Sequence, residues 1–306
     1  MKNYSKGDEM RVLITGASGF IGSYIASGLT KAGYEVTNFD RVSFIKEPGK
    51  LIKNLISTHA IVHCAGLAHT KLRADARTRI KVYNANVDLT KKLCEAAVSA
   101  NVRKFIFLSS AKVYGPYSQN GDKFCESHKI RGEDLYAESK IAAEKVISQQ
   151  FYGKKTKYTI LRLPLTYSFE NKANLARLER LVGLGIPLPF GAIKNKRSLL
   201  HLSNLFDVIN LILTNTDGGN AIYNVCDDVS VSTSELVKLI ADAKNKKARL
   251  YEVKPDVFGK VLKLFGYSEI YHSLWQSFEI DTTLIKSELS WTPSYNINKL
   301  MEAYRK

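Results

Sequence analysis

The 306-residue chain reads as an α/β protein, a doubly wound parallel sheet with a smaller carboxyl-terminal lobe. Three observations predict this. Short apolar strands alternate with amphipathic helical stretches through the first half, a glycine-rich turn follows the first strand, and the alternation breaks off after Pro164. Strands alternating with helices imply parallel pairing through right-handed crossovers, because a crossover of helix length returns the chain in the same direction.

The first strand is Arg11–Thr15 (RVLIT), a short apolar run after a polar start. Gly19–Gly33 reads as a helix, since Ile21, Ile25, Leu29 and Ala32 recur at helical spacing. Glu35–Asp40 alternates as a second strand, and Ala60–Cys64 (AIVHC) is a buried third. Asp88–Ala100 is an amphipathic helix, Lys104–Ser109 (KFIFLS) a strand, Tyr136–Gln150 a helix and Tyr158–Leu163 (YTILRL) a strand. Beyond Pro164 the pattern suggests a loop, a short helix around Leu175–Gly183 and a turn-rich stretch over Gly185–Gly191. A strand around Ala221–Val225 is expected to rejoin the sheet. A helix from Ser232, an aromatic-rich segment and Trp291-Thr292-Pro293 follow. The expected division is residues 1–165 for the sheet domain, with a returning strand near 199–226, and 166–306 mainly for the second lobe.

Composition narrows the class. Hydrophobic residues make up 45% and charged residues 24%, as in soluble globular proteins. No apolar run reaches the roughly 18–20 residues that span a bilayer, so no membrane insertion is expected. Met1–Met10 lacks the apolar stretch of a secretion signal, which makes the cytoplasm the expected location. The four cysteines Cys64, Cys94, Cys125 and Cys226 lie far apart without a C-x-x-C pair, so reduced thiols and no metal site are expected. The net charge of +16 is spread along the chain apart from short clusters at Lys154–Lys157 and Lys194–Arg197. That reads as a solvated surface rather than a nucleic-acid footprint, and its field suits a polyanionic small substrate.

Thr15-Gly16-Ala17-Ser18-Gly19-Phe20-Ile21-Gly22 lies between a strand and a helix. The first glycine permits a tight turn, the second lets backbone approach a pyrophosphate, and the third allows close helix–strand packing. The helix N-terminus stabilises the negative charge. This is a dinucleotide loop on a Rossmann-type sheet. Asp40 ends the second strand, where a carboxylate meets the adenosine ribose and repels a 2′-phosphate, so NAD is expected. Arg41 can receive that phosphate and keeps NADP as the alternative.

Tyr136-Ala137-Glu138-Ser139-Lys140 puts a phenol and an ammonium four residues apart on one helix face. A free phenol, with a pKa of about 10, is a poor base at neutral pH. A fixed ammonium favours the phenolate and brings it toward the working range. Ser110 ends the preceding strand and is placed to hydrogen-bond a reacting oxygen.

With these residues in view, the chain resembles the extended short-chain dehydrogenase/reductases, specifically the nucleotide-sugar epimerase/dehydratase branch, over nearly its whole length. The matching stretches are TGASGFIG, HCAG at His63–Gly66, Asn86 before a helix, LSSAKVYG at Leu108–Gly115, and YAESK. The resemblance implies cofactor contacts at Gly16, Ser18, Gly19, Phe20, Ile21, Gly22, Asp40, Arg41, Ala65, Gly66, Asn86, Tyr136 and Lys140. It implies a catalytic triad of Ser110, Tyr136 and Lys140, with Ser110 also touching substrate. The second half is similar to a bacterial group handling UDP-N-acetylhexosamines and their 6-deoxy-4-keto derivatives for surface polysaccharides. The stretches are KANLARL, IPLPFGAIKNKRSLLHLSNL and ELSWTPS. By that similarity Asn174 and Arg197 hold the uridine diphosphate, which suits a guanidinium and an amide. Homodimers paired through two helices are common in the family.

Some positions depart from the pattern. The acidic motif that touches adenine is not evident between Arg41 and His59. Where family dehydratases carry Asp-Glu after the serine, Ala111 and Lys112 stand instead, so no acid protonates a departing hydroxyl. His69 reads as a surface or packing histidine, and the aromatic segment Phe258–Phe278 as buried under the second lobe. The favoured expectation is an NAD-dependent 4-epimerase of a UDP-hexose or UDP-N-acetylhexosamine. The alternative is an NAD(P)H-dependent 4-reductase of a UDP-4-keto-6-deoxy sugar. An idle NAD-sensing scaffold is disfavoured by the intact triad.

Overall fold

The computed structural model describes residues 10–39, 48–67, 75–119, 121–168, 176–215, 218–253 and 268–297, with positions 259 and 264. The described chain forms two compact units. Met1–Val113, Ile130–Arg162 and Phe206–Tyr223 make the first, while Tyr114–Lys129, Leu163–Leu205 and Asn224–Lys306 make the second.

The first unit is built on β1 (Arg11–Thr15), β2 (Glu35–Phe39), β3 (Ala60–His63), β4 (Lys104–Ser110) and β5 (Lys157–Leu163). With β8 (Ala221–Asn224) they form one six-stranded sheet in the order β2-β1-β3-β4-β5-β8. The strand expected around Ala221 does rejoin the sheet. Parallel pairing sets Val12 beside Ala60, Thr15 beside His63, and Ile61 beside Phe105. β3 is buried at every position and β4 at all but its first, as a strand covered on both faces must be. The chain steps from β1 to β2 on one side and then to β3 on the other. The carboxyl ends of β1 and β3 therefore open a crevice where the order reverses.

α1 (Phe20–Lys31) follows the glycine loop, and α2 (Pro48–Leu55) begins on a proline, whose missing N–H costs nothing there. α3 (Ala76–Tyr83) is capped by Asp75, which accepts the Thr78 N–H at 2.7 Å. A π-turn over Asn84–Asp88 joins it to α4 (Leu89–Ser99). α5 (Leu135–Gln150) is capped by Asp134. Leu13, Ile61, Phe105 and Phe107 pack with Leu89, Leu93, Ala143, Ile147 and Phe151 in one core.

α7 (Leu202–Thr214) is a helix not among the expected elements, with Ser203, Asp207, Asn210 and Thr214 at helical spacing on its more exposed side. Leu205, Val208, Ile209, Ile212 and Leu213 are buried on its opposite side. Its last turn is held by Lys104, whose ammonium donates to the carbonyls of Ile212 at 2.6 Å and Leu213 at 2.8 Å.

In the second unit β6 (Leu165–Tyr167) pairs in parallel with β7 (Leu199–His201). α6 (Ala176–Gly183) realises the short helix expected near Leu175. α8 (Thr233–Ala243) opens with a reciprocal capping box between Ser232 and Glu235. α9 (Ser268–Trp275) and α10 (Thr283–Leu289) follow. Leu188, Phe190, Leu199, Leu236, Ile240 and Trp275 lie in its core. Among the described residues no helix is long and apolar enough to cross a membrane.

Candidate active site

The glycine loop turns directly against the end of β3. Gly16 adopts φ +74°, and a Cβ there would lie 2.7 Å from the Ala65 nitrogen, so both conformation and space demand glycine. A Cβ at Gly22 would overlap the Gly16 carbonyl. The Gly19 N–H closes the turn on the Gly16 carbonyl at 3.0 Å. α1 starts without a side-chain cap and without an acidic residue in its first turn. Its N-terminal N–H groups and partial positive charge suit an anion there.

A buried chain of hydrogen bonds fixes the two loops around the crevice. Ala65 N–H donates to Thr15 Oγ1 at 3.3 Å, and Thr15 Oγ1 lies 2.6 Å from His63 Nδ1. On the other side, His63 Nε2 lies 2.9 Å from Thr90 Oγ1, which donates to the Asn86 carbonyl at 2.7 Å. Thr90 spends its one proton on that carbonyl, so His63 carries hydrogen on Nε2 and accepts from Thr15 on Nδ1. Burial, with the nearby Lys140 charge, holds the imidazole down at about 3. It is neutral at every working pH.

Asn86, in the π-turn, grips the loop after β3. Its Oδ1 accepts the Leu67 N–H at 2.7 Å, and its amide donates to the Leu67 carbonyl at 3.3 Å and to Ser139 Oγ at 2.9 Å. Ser139 donates in turn to the Tyr136 carbonyl at 2.7 Å. Asn86 therefore ties the loop holding Ala65 and Gly66 to the helix that carries Tyr136 and Lys140. A Cβ at Gly66 would meet Asn86 Oδ1 at 3.3 Å and Lys140 Nζ at 3.5 Å.

Ser110, Tyr136 and Lys140 meet at the end of β4. Lys140 is buried, with Nζ donating to the Leu108 carbonyl at 2.7 Å and lying 4.4 Å from the Phe107 ring centroid and 5.9 Å from that of Tyr136. Burial lowers its ammonium to about 8, against the opposing influence of Cys64 and Glu144. Loss of solvent pushes the Tyr136 phenol up to about 12. A hydrogen bond with Ser110 pulls it down and the Asp134 carboxylate pushes it up. Desolvation thus outweighs the acidifying influence expected of the neighbouring ammonium.

Several supporting residues were not legible as such in the sequence. Glu144, one turn beyond Lys140, pairs with Arg162 at 2.7 Å, the two side chains being 6% and 3% exposed, and accepts from Ser109 at 2.5 Å. Asp134 caps α5 through the Ala137 N–H at 2.7 Å, a role its place before the helix could have suggested, and pairs with Lys112 at 2.8 Å.

Arg197 lies in the second unit. Its NH1 donates to the Gln276 carbonyl at 3.1 Å, its guanidinium sits 5.8 Å from the Phe278 ring centroid, and burial lowers it to about 10. Asp40, Arg41, His69 and Asn174 fall outside the described residues, as does most of the segment from Phe258 to Tyr267. Among the described residues no group of His, Cys, Asp or Glu could hold a metal ion.

Residues 12–226 match the family described as NAD dependent epimerase/dehydratase. Over 302 residues the chain is 33% identical to a UDP-glucose 4-epimerase of Vibrio cholerae, covering 94% of this chain and 92% of that protein. It is 26% identical over 250 residues to an N-acetyl-alpha-D-glucosaminyl-diphospho-ditrans,octacis-undecaprenol 4-epimerase of Escherichia coli O157:H7, covering 77% of this chain and 73% of that one. The fold is shared with MoeE5 in complex with UDP-glucose and NAD, at a TM-score of 0.77 and 22% identity, covering 96% of this chain and 97% of that chain.

Proposed function

We propose, for a chain that belongs to the NAD dependent epimerase/dehydratase family, that it inverts carbon 4 of a UDP-hexose or UDP-N-acetylhexosamine in the cytoplasm, toward bacterial surface polysaccharide. The observation that carries the reading is the meeting of Ser110, Tyr136 and Lys140 in the unit that also holds the glycine loop. The likeness to two 4-epimerases supports the choice of reaction.

The cradle fits a dinucleotide, since the loop has no room for side chains at Gly16 and Gly22 and α1 begins with uncapped N–H groups. Gly16, Ser18, Gly19, Phe20, Ile21 and Gly22 would hold the diphosphate of NAD, with Ala65 and Gly66 beneath and Lys140 on the ribose. When bound, NAD supplies a hydride acceptor that gives the hydride back. The chain's own residues handle the proton and the geometry. Tyr136 takes the proton of the sugar's 4-hydroxyl and later returns it, and Ser110 hydrogen-bonds that oxygen. Asn86 acts by holding the cofactor loop against α5. Asn174 and Arg197 anchor the uridine diphosphate, and a homodimer is the expected assembly. Lys112 sits where dehydration would need an acid, which favours epimerisation.

The test is incubation of purified protein with UDP-glucose and UDP-N-acetylglucosamine, without added reductant, followed by proton NMR. Appearance of the galacto epimer is expected. No epimer from either, together with NADPH consumption on a UDP-4-keto-6-deoxy sugar, would replace this reading with the 4-reductase.

A further inference from the structure

We infer that the Lys112–Asp134 ion pair is a positioning and tuning device for Tyr136, joining the turn that follows Ser110 to the first turn of α5. The inference rests on the acid–base role proposed for Tyr136.

The geometry divides one carboxylate between two tasks. Asp134 Oδ1 accepts the Ala137 N–H at 2.7 Å, fixing the helical turn that contains Tyr136. Oδ2 receives the Lys112 ammonium at 2.8 Å. The Lys112 N–H donates to Ser110 Oγ at 3.3 Å, so the residue that binds the cap also touches the serine. A second tether joins the same segments, because the N–H groups of Arg131 and Gly132 both donate to the Val113 carbonyl, at 2.8 and 3.2 Å. Ser110 and Tyr136, 26 positions apart by number, are thereby held as neighbours by short-range contacts.

The arrangement has an electrostatic consequence. Asp134 sits two residues before Tyr136, and a carboxylate so close opposes formation of a phenolate. Among the described residues, the charges on the elements packed around the phenol are matched or favourable. From α3, Arg79 pairs with Glu138 at 3.0 Å, and on the β4–β5 side Glu144 pairs with Arg162. Lys140 contributes its own ammonium, and Cys64 beside it stays a neutral thiol, pushed up to about 12 by burial. Among the described residues Asp134 is therefore the carboxylate that works against Tyr136, and Lys112 supplies its counter-charge. Removing the lysine exposes the phenol to the full carboxylate, whereas removing the carboxylate's charge relieves it.

The experiment compares pH–rate profiles of the wild type, Lys112→Met and Asp134→Asn, with thermal unfolding to verify that each is folded. Asparagine still caps a helix, so Asp134→Asn removes the charge and keeps the turn. The acidic limb should move up by about 0.3–0.7 pH unit in Lys112→Met and down by a similar amount in Asp134→Asn, the scale of a partly exposed ion pair. Opposite shifts support the proposal. Unmoved profiles, or shifts of the same sign, overturn it and leave a structural clamp. Those failures are separable from failure of the underlying reading. A Tyr136→Phe variant that keeps its turnover brings down the acid–base role and the pair with it, while an inactive Tyr136→Phe beside unmoved profiles overturns the pair alone.

Discussion

The buried ammonium of Lys140 donates to the main-chain carbonyl of Leu108 at 2.7 Å, pinning α5 to β4 two residues before Ser110. With the Ser109–Glu144 bond, it helps to set the distance between the strand end and the helix face that share the chemistry. Lys140→Met should therefore lose both turnover and NAD affinity, read by steady-state rates and calorimetry. The burial that lowers the native ammonium to about 8 from 10.5 also has a stability consequence. Between those values the native state has released its proton while the unfolded chain still binds it, so this group's contribution to stability rises with pH across that window. Urea unfolding at pH 7.5, 8.5 and 9.5 should show wild type gaining on Lys140→Met as pH increases. A constant difference would contradict the lowered value.

Tyr136→Phe should cut kcat by about 10²–10⁴-fold while leaving NAD binding within a few-fold. The ring remains and only the proton-carrying oxygen is lost. A variant with more than about a tenth of wild-type kcat would remove Tyr136 from the acid–base role.

The Glu144–Arg162 pair should behave as a unit. Both side chains are buried, so Glu144→Gln or Arg162→Met alone strands a charge at a cost of about 3–5 kcal/mol. Glu144→Gln combined with Arg162→Met should cost less than the sum of the two single changes, because neither charge is then left behind. Additive losses in denaturant titrations would show that the two act separately.

His63 predicts a particular acid response. Its native imidazole is held down at about 3, against 6.5 unfolded, so the unfolded chain alone binds a proton between these values. Stability from this group is present above pH 6.5 and is lost as pH falls toward 3, at a slope of about 1.4 kcal/mol per unit. His63→Gln should flatten the acid limb of stability by one proton. An identical slope in both proteins, measured from pH 6.5 to 4.5, would show that His63 is not buried neutral.

Arg197→Ala should weaken UDP binding by about tenfold to a hundredfold and leave NAD binding unchanged, as expected for one charge-assisted contact of about 1.5–3 kcal/mol. Titration of UDP, GDP and dTDP separates the claims. Equal wild-type affinity for the three would remove the uridine preference, and an unaltered UDP affinity in the variant would remove the phosphate role.

Local pattern alone determined the alternation of β1, α1, β2 and β3, the glycine turn after the first strand, and the shared helix face of Tyr136 and Lys140. Each of these depends on spacing over a few residues, where strand and helix periods and glycine conformations are written directly. The tertiary structure decided what those elements touch. Thr15 meets His63 across 48 positions, Asn86 reaches Ser139 across 53, and Lys104 caps the end of α7 across 108. The helix Leu202–Thr214, by contrast, is written in the chain, since Ser203, Asp207, Asn210 and Thr214 mark a polar stripe at helical spacing opposite its buried apolar face. Hydrogen bonds between segments so distant leave no periodic trace in the chain. They arise only when parallel pairing brings the carboxyl ends of β1, β3 and β4 to one edge and Lys104, the first residue of β4, to the other, so the residues that orient the site become visible only once the sheet has formed.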